Sequence, residues 1–184
     1  MDKSEKINEI IKATESKTYL EIGYGNGHNF DRIKCGKKFA VDPNIEKPSK
    51  NKLKITSDEF FEDTEKDFDV VFIDGDHTAE QSRNDVLNAL KCDPKAIILH
   101  DTIPKSKEMQ EVPRKQNVWT GDVWRSAIGF IESYPDIKVE TFKADYGLTV
   151  IYPDGKRARK HFEDTETSYE DFQKNAKELL NIID

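Results

Sequence analysis

At 184 residues and a formal net charge of −7, the chain is long enough for one domain with a sizeable core, and it lacks the basic balance that broad nucleic-acid binding needs. Charged and apolar residues each make up 35% of it, which predicts an ordered, water-soluble chain, and the basic cluster Lys156-Arg157-Ala158-Arg159-Lys160-His161 reads as a solvated connector. The two cysteines, Cys35 and Cys92, form no C-x-x-C pair, no apolar run approaches about 18 residues, and no signal-peptide pattern opens the chain; neither disulfide scaffold, zinc site nor membrane partner is expected, and a cytoplasmic location is the default.

In chain order, residues 3–16 place Ile7, Ile10 and Ile11 on one helical face, predicting an amphipathic lid helix at the sheet edge. Residues 18–22 predict the first strand, which runs into Glu21-Ile22-Gly23-Tyr24-Gly25-Asn26-Gly27. Glycines let a loop turn tightly and let a ligand approach the backbone. The dinucleotide spacing G-x-G-x-x-G requires a glycine at 28, where His28 stands. The spacing E-x-G-x-G-x-G instead resembles motif I of the class I S-adenosylmethionine-dependent methyltransferases. That resemblance implies a donor cradle of Glu21, Gly23, Tyr24, Gly25 and Gly27, with the acidic Glu21 suited to a cationic ligand without phosphate. A ligand-free glycine turn is the plain alternative.

Residues 28–34 predict a short helix capped by Gly36, and 38–42 a second strand closed by Pro43. Asp42 lies about twenty residues past the first strand, where nucleotide-binding α/β folds put a ribose-binding carboxylate; a turn-initiating Asp-Pro is the alternative. Residues 53–56 predict a weak third strand. Ser57 and Asp58 then serve the adenine edge, the N-cap of a helix over 59–65, or both.

Residues 68–73 form a continuous apolar run, a strand buried on both faces, which ends in Asp74-Gly75-Asp76-His77. A helix over 78–90 and a fifth strand over 96–99 follow, the latter ending in His100-Asp101-Thr102. Parallel sheets bind ligands beyond their carboxyl strand ends, so two neighbouring Asp/His clusters are expected to converge there. Two chemistries fit. Asp74 and Asp101 could share a divalent cation, with Asp76, Thr102 or water completing an oxygen shell. Without metal, His77 or His100 would remove a proton, oriented by a neighbouring carboxylate. Helix caps and turn closures are the bland reading.

These two motifs resemble the small class I methyltransferases of the macrocin O-methyltransferase and cephalosporin-hydroxylase-like group (methyltransferase family 24 type) and, more distantly, catechol O-methyltransferase. The resemblance spans about residues 17–151. It implies Asp74, Asp101 and Thr102 as ligands of a cation such as Mg2+, with Asp74 also bordering the donor. His77 falls where the catechol enzyme has its catalytic lysine, and Thr102 replaces the usual amide.

Residues 103–117 read as a long functional loop leading to a helix over 122–133. Trp119 is the better candidate for an acceptor-pocket wall, while Trp124 equally suits the core. Arg125 is a candidate for an anionic or sugar-like substrate. Residues 137–142 and 147–151, joined by a three-residue turn region, require an antiparallel hairpin. The resemblance to the class I methyltransferases, which this hairpin matches, implies an α/β, Rossmann-like doubly wound seven-stranded sheet, order 3-2-1-4-5-7-6 with strand 7 antiparallel, in a single domain over 1–184. A C-terminal extension over 153–184 carries a helix over 168–183 that would cover the core or mate with a second copy as a homodimer. The expected function is S-adenosylmethionine-dependent O-methylation of a small-molecule hydroxyl, sugar or phenolic. An aminopropyl-type transferase or a non-catalytic adenosyl-binding module are the alternatives.

Overall fold

The computed structural model describes residues 2–64, 66–153 and 161–183; the basic cluster, His161 apart, lies outside them. Eight strands form one sheet: β1 (Thr18–Ile22), β2 (Lys37–Val41), β3 (Lys52–Leu53), β4 (Val70–Ile73), β5 (Ala96–His100), β6 (Lys138–Phe142), β7 (Leu148–Tyr152) and β8 (Ile182–Ile183). Their order is β3-β2-β1-β4-β5-β7-β6-β8. Strands β3 to β5 run parallel, and β7 lies antiparallel to both β5 and β6, as predicted.

Helices cover both faces. Helices α1 (Lys3–Ala13) and α2 (His28–Arg32) lie on one; α3 (Ser57–Asp63), α4 (Ala79–Ala89) and α6 (Val123–Ser133) lie on the other. The one-turn α5 (Lys107–Gln110) interrupts the long loop, and α7 (Tyr169–Leu179) precedes β8. The central strands β4 and β5 are buried throughout, which is why their sequences are uninterrupted apolar runs.

Several boundaries differ from expectation, each for a local reason. Helix α1 packs across the middle of its sheet face, not at the edge: Ile7, Ile10 and Ile11 join Tyr19, Phe72, Ile98 and Val150, from four strands. Phe68 and Asp69 precede β4, because the Asp69 carboxylate is spent accepting the Lys17 and Thr18 amides at 2.6 and 3.1 Å. Thr56 belongs to no strand; it caps α3 in a reciprocal capping box with Glu59, so neither Ser57 nor Asp58 is the cap. Helix α2 stops at Arg32, and Lys38 Nζ, not Gly36, satisfies its terminal carbonyls at Phe30 and Ile33.

The C-terminal helix ends at Leu179, and Ile182 and Ile183 add an eighth strand parallel to β6. Its apolar stripe covers the core of its own chain. Phe172 stacks on the fully buried Trp124 at 4.4 Å, and Tyr169, Leu180 and Ile182 complete the cluster. Arg125, proposed for substrate, is committed elsewhere: its Nη1 donates to the carbonyls of Thr165 and Thr167 and its guanidinium lies over Trp124. Phe172→Ala should therefore lower unfolding free energy by about 3–5 kcal/mol in denaturant titration, whereas a helix awaiting a second copy would barely respond.

Candidate functional site

A cleft of about 910 Å³ opens at the carboxyl ends of β1, β2, β4 and β5. One half of it is formed by the loop after β1. Gly23 sits at φ +88, and a Cβ there would fall 2.0 Å from the Asp74 carbonyl oxygen, so only glycine lets this loop cross the end of β4. Gly27, at φ +80, is the N-cap of α2, and a Cβ on it would strike the Tyr24 hydroxyl. Gly25 lines the cleft. Tyr24 is pinned by Phe30 edge-on and by Lys52 Nζ at 3.0 Å from its hydroxyl.

Asp42 fixes the loop: one carboxylate oxygen accepts the amides of Tyr24 and Gly25, both at 3.0 Å, and the other accepts the Asn44 amide at 2.7 Å. A carboxylate has about four acceptor positions, so room is left for a ligand hydroxyl. Ser57 and Asp58 also border the cleft, joined by Gln81 Nε2, which lies 3.3 Å from each and 3.1 Å from Asp85 Oδ1. Asp85 is buried, and burial pushes its carboxyl up to about 6.

Glu21 forms the floor. It is 1% exposed, and its Oε2 accepts from the Tyr19 hydroxyl at 2.6 Å and from Asn29 Nδ2 at 2.9 Å. Burial lifts its pKa to about 7 despite both bonds. The side-chain oxygen Oδ1 of Asn29 beside it is buried with no hydrogen-bond partner among the described residues. A buried carboxylate and an orphaned acceptor in one floor are the donor set that an ammonium would complete.

The other half of the cleft is a network around Asp74. Its Oδ2 lies 2.8 Å from Lys3 Nζ, and its Oδ1 lies 3.0 Å from His100 Nδ1 and 3.4 Å from His77 Nε2. His77 Nδ1 approaches Asp101 Oδ2 to 3.0 Å, off the line of its N–H, as a charge contact without hydrogen-bond geometry. His100 Nε2 donates to the Asp145 carbonyl at 2.6 Å, so with Nδ1 on Asp74 both ring nitrogens face acceptors, as an imidazolium requires. Burial disfavours these charges, but mutual attraction prevails. Asp74 is held well below the usual carboxylate range by His100, His77 and Lys3, Asp101 is lowered by the two histidines, and His77 is pushed up to about 9 by Asp101 and Asp74.

Two expected roles change. The carboxylates around His77 and His100 raise the proton affinity of both rings, which disfavours either as a proton acceptor, and the deeply buried His100 is a tie between β4 and the β6–β7 turn. Thr102 does not join the cluster. It is fully buried, lies outside the cleft lining, and its hydroxyl accepts from Thr149 at 2.9 Å. The metal-like grouping is instead Asp74, His100 and Asp101. It suits Mg2+ poorly, because one member is an imidazole and Asp74 already carries nitrogen cations on both oxygens.

The backbone is bent to make this geometry. His77 at φ 65 and Asp101 at φ 61 are left-handed, on the order of 1 kcal/mol of strain each. The long loop clamps the result: Trp119 stacks on His77 with rings 5.4 Å apart, and Gly121 packs so closely on the His77 carbonyl that no side chain fits. Trp119 thus backs His77 from the long loop and does not itself line the cleft. Lys3, Asn29, Asp85 and Asp145 carried no motif. Only the Tyr19/Glu21 alternation, which puts both on one strand face, hinted at the floor.

No protein-family model and no curated protein matches the chain. Solved structures do. The O-methyltransferase of Bacillus cereus in complex with SAH aligns at TM-score 0.56 and 12% identity, covering 81% of this chain and 80% of that one. SAH-bound PaMTH1, a methyltransferase of Podospora anserina, aligns at 0.60 and 14% (81% and 76%). TomG of Streptomyces achromogenes, an O-methyltransferase of tomaymycin synthesis solved with SAM, aligns at 0.57 and 11% (81% and 78%). The fold is the Rossmann-like methyltransferase fold. Within it, β8 is an addition to the expected seven strands.

Glu21 makes this methyltransferase-fold floor pH-sensitive. The unfolded chain ionises it near 4.5 and the folded chain near 7, so its contribution to stability is complete below 4.5 and is lost as pH rises through 7. The loss amounts to about 3 kcal/mol. Glu21→Gln should flatten this slope, leaving unfolding midpoints at pH 5 and pH 8 closer together than in the wild type.

Proposed function

We propose that the protein is an S-adenosylmethionine-dependent O-methyltransferase of a small molecule whose hydroxyl ionises readily, phenolic in preference to sugar. The observation that carries the reading is the floor: Glu21 and the orphaned Asn29 oxygen, buried beneath a glycine loop, call for a cationic ligand group. The solved neighbours of this fold that hold SAM or SAH support the same donor. Glu21 and Asn29 would take the donor's ammonium, Asp42 its ribose hydroxyls, and Ser57 with Asp58 its adenine edge. The donor supplies an electrophilic methyl group on sulfonium, which an acceptor oxygen displaces in line.

At the acceptor end the chain offers charge more readily than a base. His77 stands as an imidazolium stacked beneath Trp119, and Lys3 lines the same cleft. Positive charge fixed in a partly buried site stabilises an ionised oxygen there. A hydroxyl that arrives ionised, or loses its proton to solvent on entry, needs no neutral histidine, and a phenol meets that condition where a sugar does not. No step is routed through a metal ion.

Calorimetric titration with S-adenosylmethionine is the deciding experiment. Saturable binding is expected, with a fraction of a proton released at about pH 6 as Glu21 ionises against the ammonium, and with no release in Glu21→Gln. Failure of the wild type to bind any adenosyl ligand would remove the reading. His77→Ala should keep donor binding but lower turnover of an ionisable phenol about a hundredfold, measured by labelled methyl transfer.

A further inference from the structure

Lys3 opens α1, far in sequence from every motif, yet its side chain lines the same cleft as His77 and the glycine loop. Its Nζ lies 2.8 Å from Asp74 Oδ2 and 4.0 Å from Asp145 Oδ2. The helix that carries it is fastened at several points. Asp2 caps it in a reciprocal capping box with Glu5 and pairs with Arg32, while Asn8 bonds the Arg32 carbonyl and the Lys34 amide. One turn further on, Ile7 is fully buried in the core. This ammonium is therefore presented by a rigid element, unlike a surface lysine that swings aside when a competing cation arrives.

The remaining Asp74 oxygen is occupied as well, by His100 at 3.0 Å and His77 at 3.4 Å. A divalent ion binding at Asp74 and Asp101 would have to displace the Lys3 ammonium, a histidine ring or both. Metal-assisted methylation, by contrast, needs those carboxylates open.

We propose that Lys3 is the resident cation of the acceptor site: its ammonium holds the Asp74 oxygen that a divalent metal would need, and it supplies the fixed positive charge beside which the acceptor oxygen ionises. The acceptor's part in this rests on the methyltransferase reading; the exclusion of metal does not. Helix α1 then belongs to the active site itself, and loss of its first turn would change the site's chemistry and not merely its cover.

The test is a titration of Mn2+ alone, followed by the paramagnetic resonance signal of the free ion, with neither donor nor acceptor present. Lys3→Met keeps the length of the stem and removes the charge. It should bind Mn2+ on the order of a hundredfold more tightly than the wild type. Lys3→Arg should behave as the wild type, and Lys3→Met combined with Asp101→Asn should lose the gain. Wild type binding Mn2+ as tightly as Lys3→Met, or no gain in Lys3→Met, would overturn the proposal. Lys3→Gln repeats the measurement if the methionine variant does not fold. Donor titration of the same samples is read separately, so a failed cofactor assignment and a failed cation assignment give different results.

Discussion

The end of the cleft beyond β4 and β5 depends on one carboxylate, Asp74, and on the balance of charge around it. Asp74, Asp101 and Asp145 face Lys3, His77 and His100, so three anions meet three cations in a largely buried volume. Removing one member from such a set leaves its partner charged and unpaired, which costs more than the pair contributes. The set therefore stands or falls together. It also ties together the first turn of α1, the ends of β4 and β5, and the turn between β6 and β7.

The sheet order makes this meeting possible. Strands β1, β4 and β5 are neighbours, so their carboxyl ends bring Glu21, Asp74 and His100 side by side although they are dozens of positions apart in sequence. Antiparallel β7 returns beside β5 and sets the 144–147 turn against the same end of the sheet. The left-handed conformations at His77, Asp101, Asp145 and Tyr146 fall at these junctions. Strain collects where strands must end abruptly and side chains must turn back over the sheet. The clamp of Trp119 and Gly121 on His77 lets a long, polar loop hold that geometry from outside.

What could be read from the chain follows the range of the forces involved. The glycine loop, the apolar runs of β4 and β5 and the hairpin of β6 and β7 are local patterns and were legible; the strand order came only with the resemblance that those motifs carry. Asp74, His77 and Asp101 were legible as a group because Asp74 and Asp101 each stand directly after a strand and His77 follows Asp74 by three positions. Lys3 was not, because helix periodicity records which face is buried and says nothing of where the first turn points. The charge on His77 was equally invisible, since it depends on two carboxylates, one of them from another strand. Beyond Leu179 the apolar pattern continues through Ile182 and Ile183, and only tertiary pairing with β6 decides that these residues leave the helix and extend the sheet. Thr102 follows an aspartate as a ligand would, but its hydroxyl turns into a buried ladder with Thr149 and Thr141.

Glu21 and Asp74 end adjacent parallel strands, and their environments drive them in opposite directions. Asp74 has its counter-charges built in, so it stays ionised and its field is spent within the protein. Glu21 has only two neutral hydrogen-bond donors, the Tyr19 hydroxyl and the Asn29 amide, against nearly complete burial, so its proton is held to about pH 7. A carboxylate left short of positive charge, next to an acceptor with no donor, is the place where an incoming cation gains most. The compensated carboxylate next door is where one gains least. Two acidic residues that look alike in sequence thus divide the cleft into a half that awaits a cationic ligand and a half that already contains its cations. The division follows from neighbours alone: the strand that ends beside Lys3, His77 and His100 has its charge compensated, and the strand that ends beside Tyr19 and Asn29 does not.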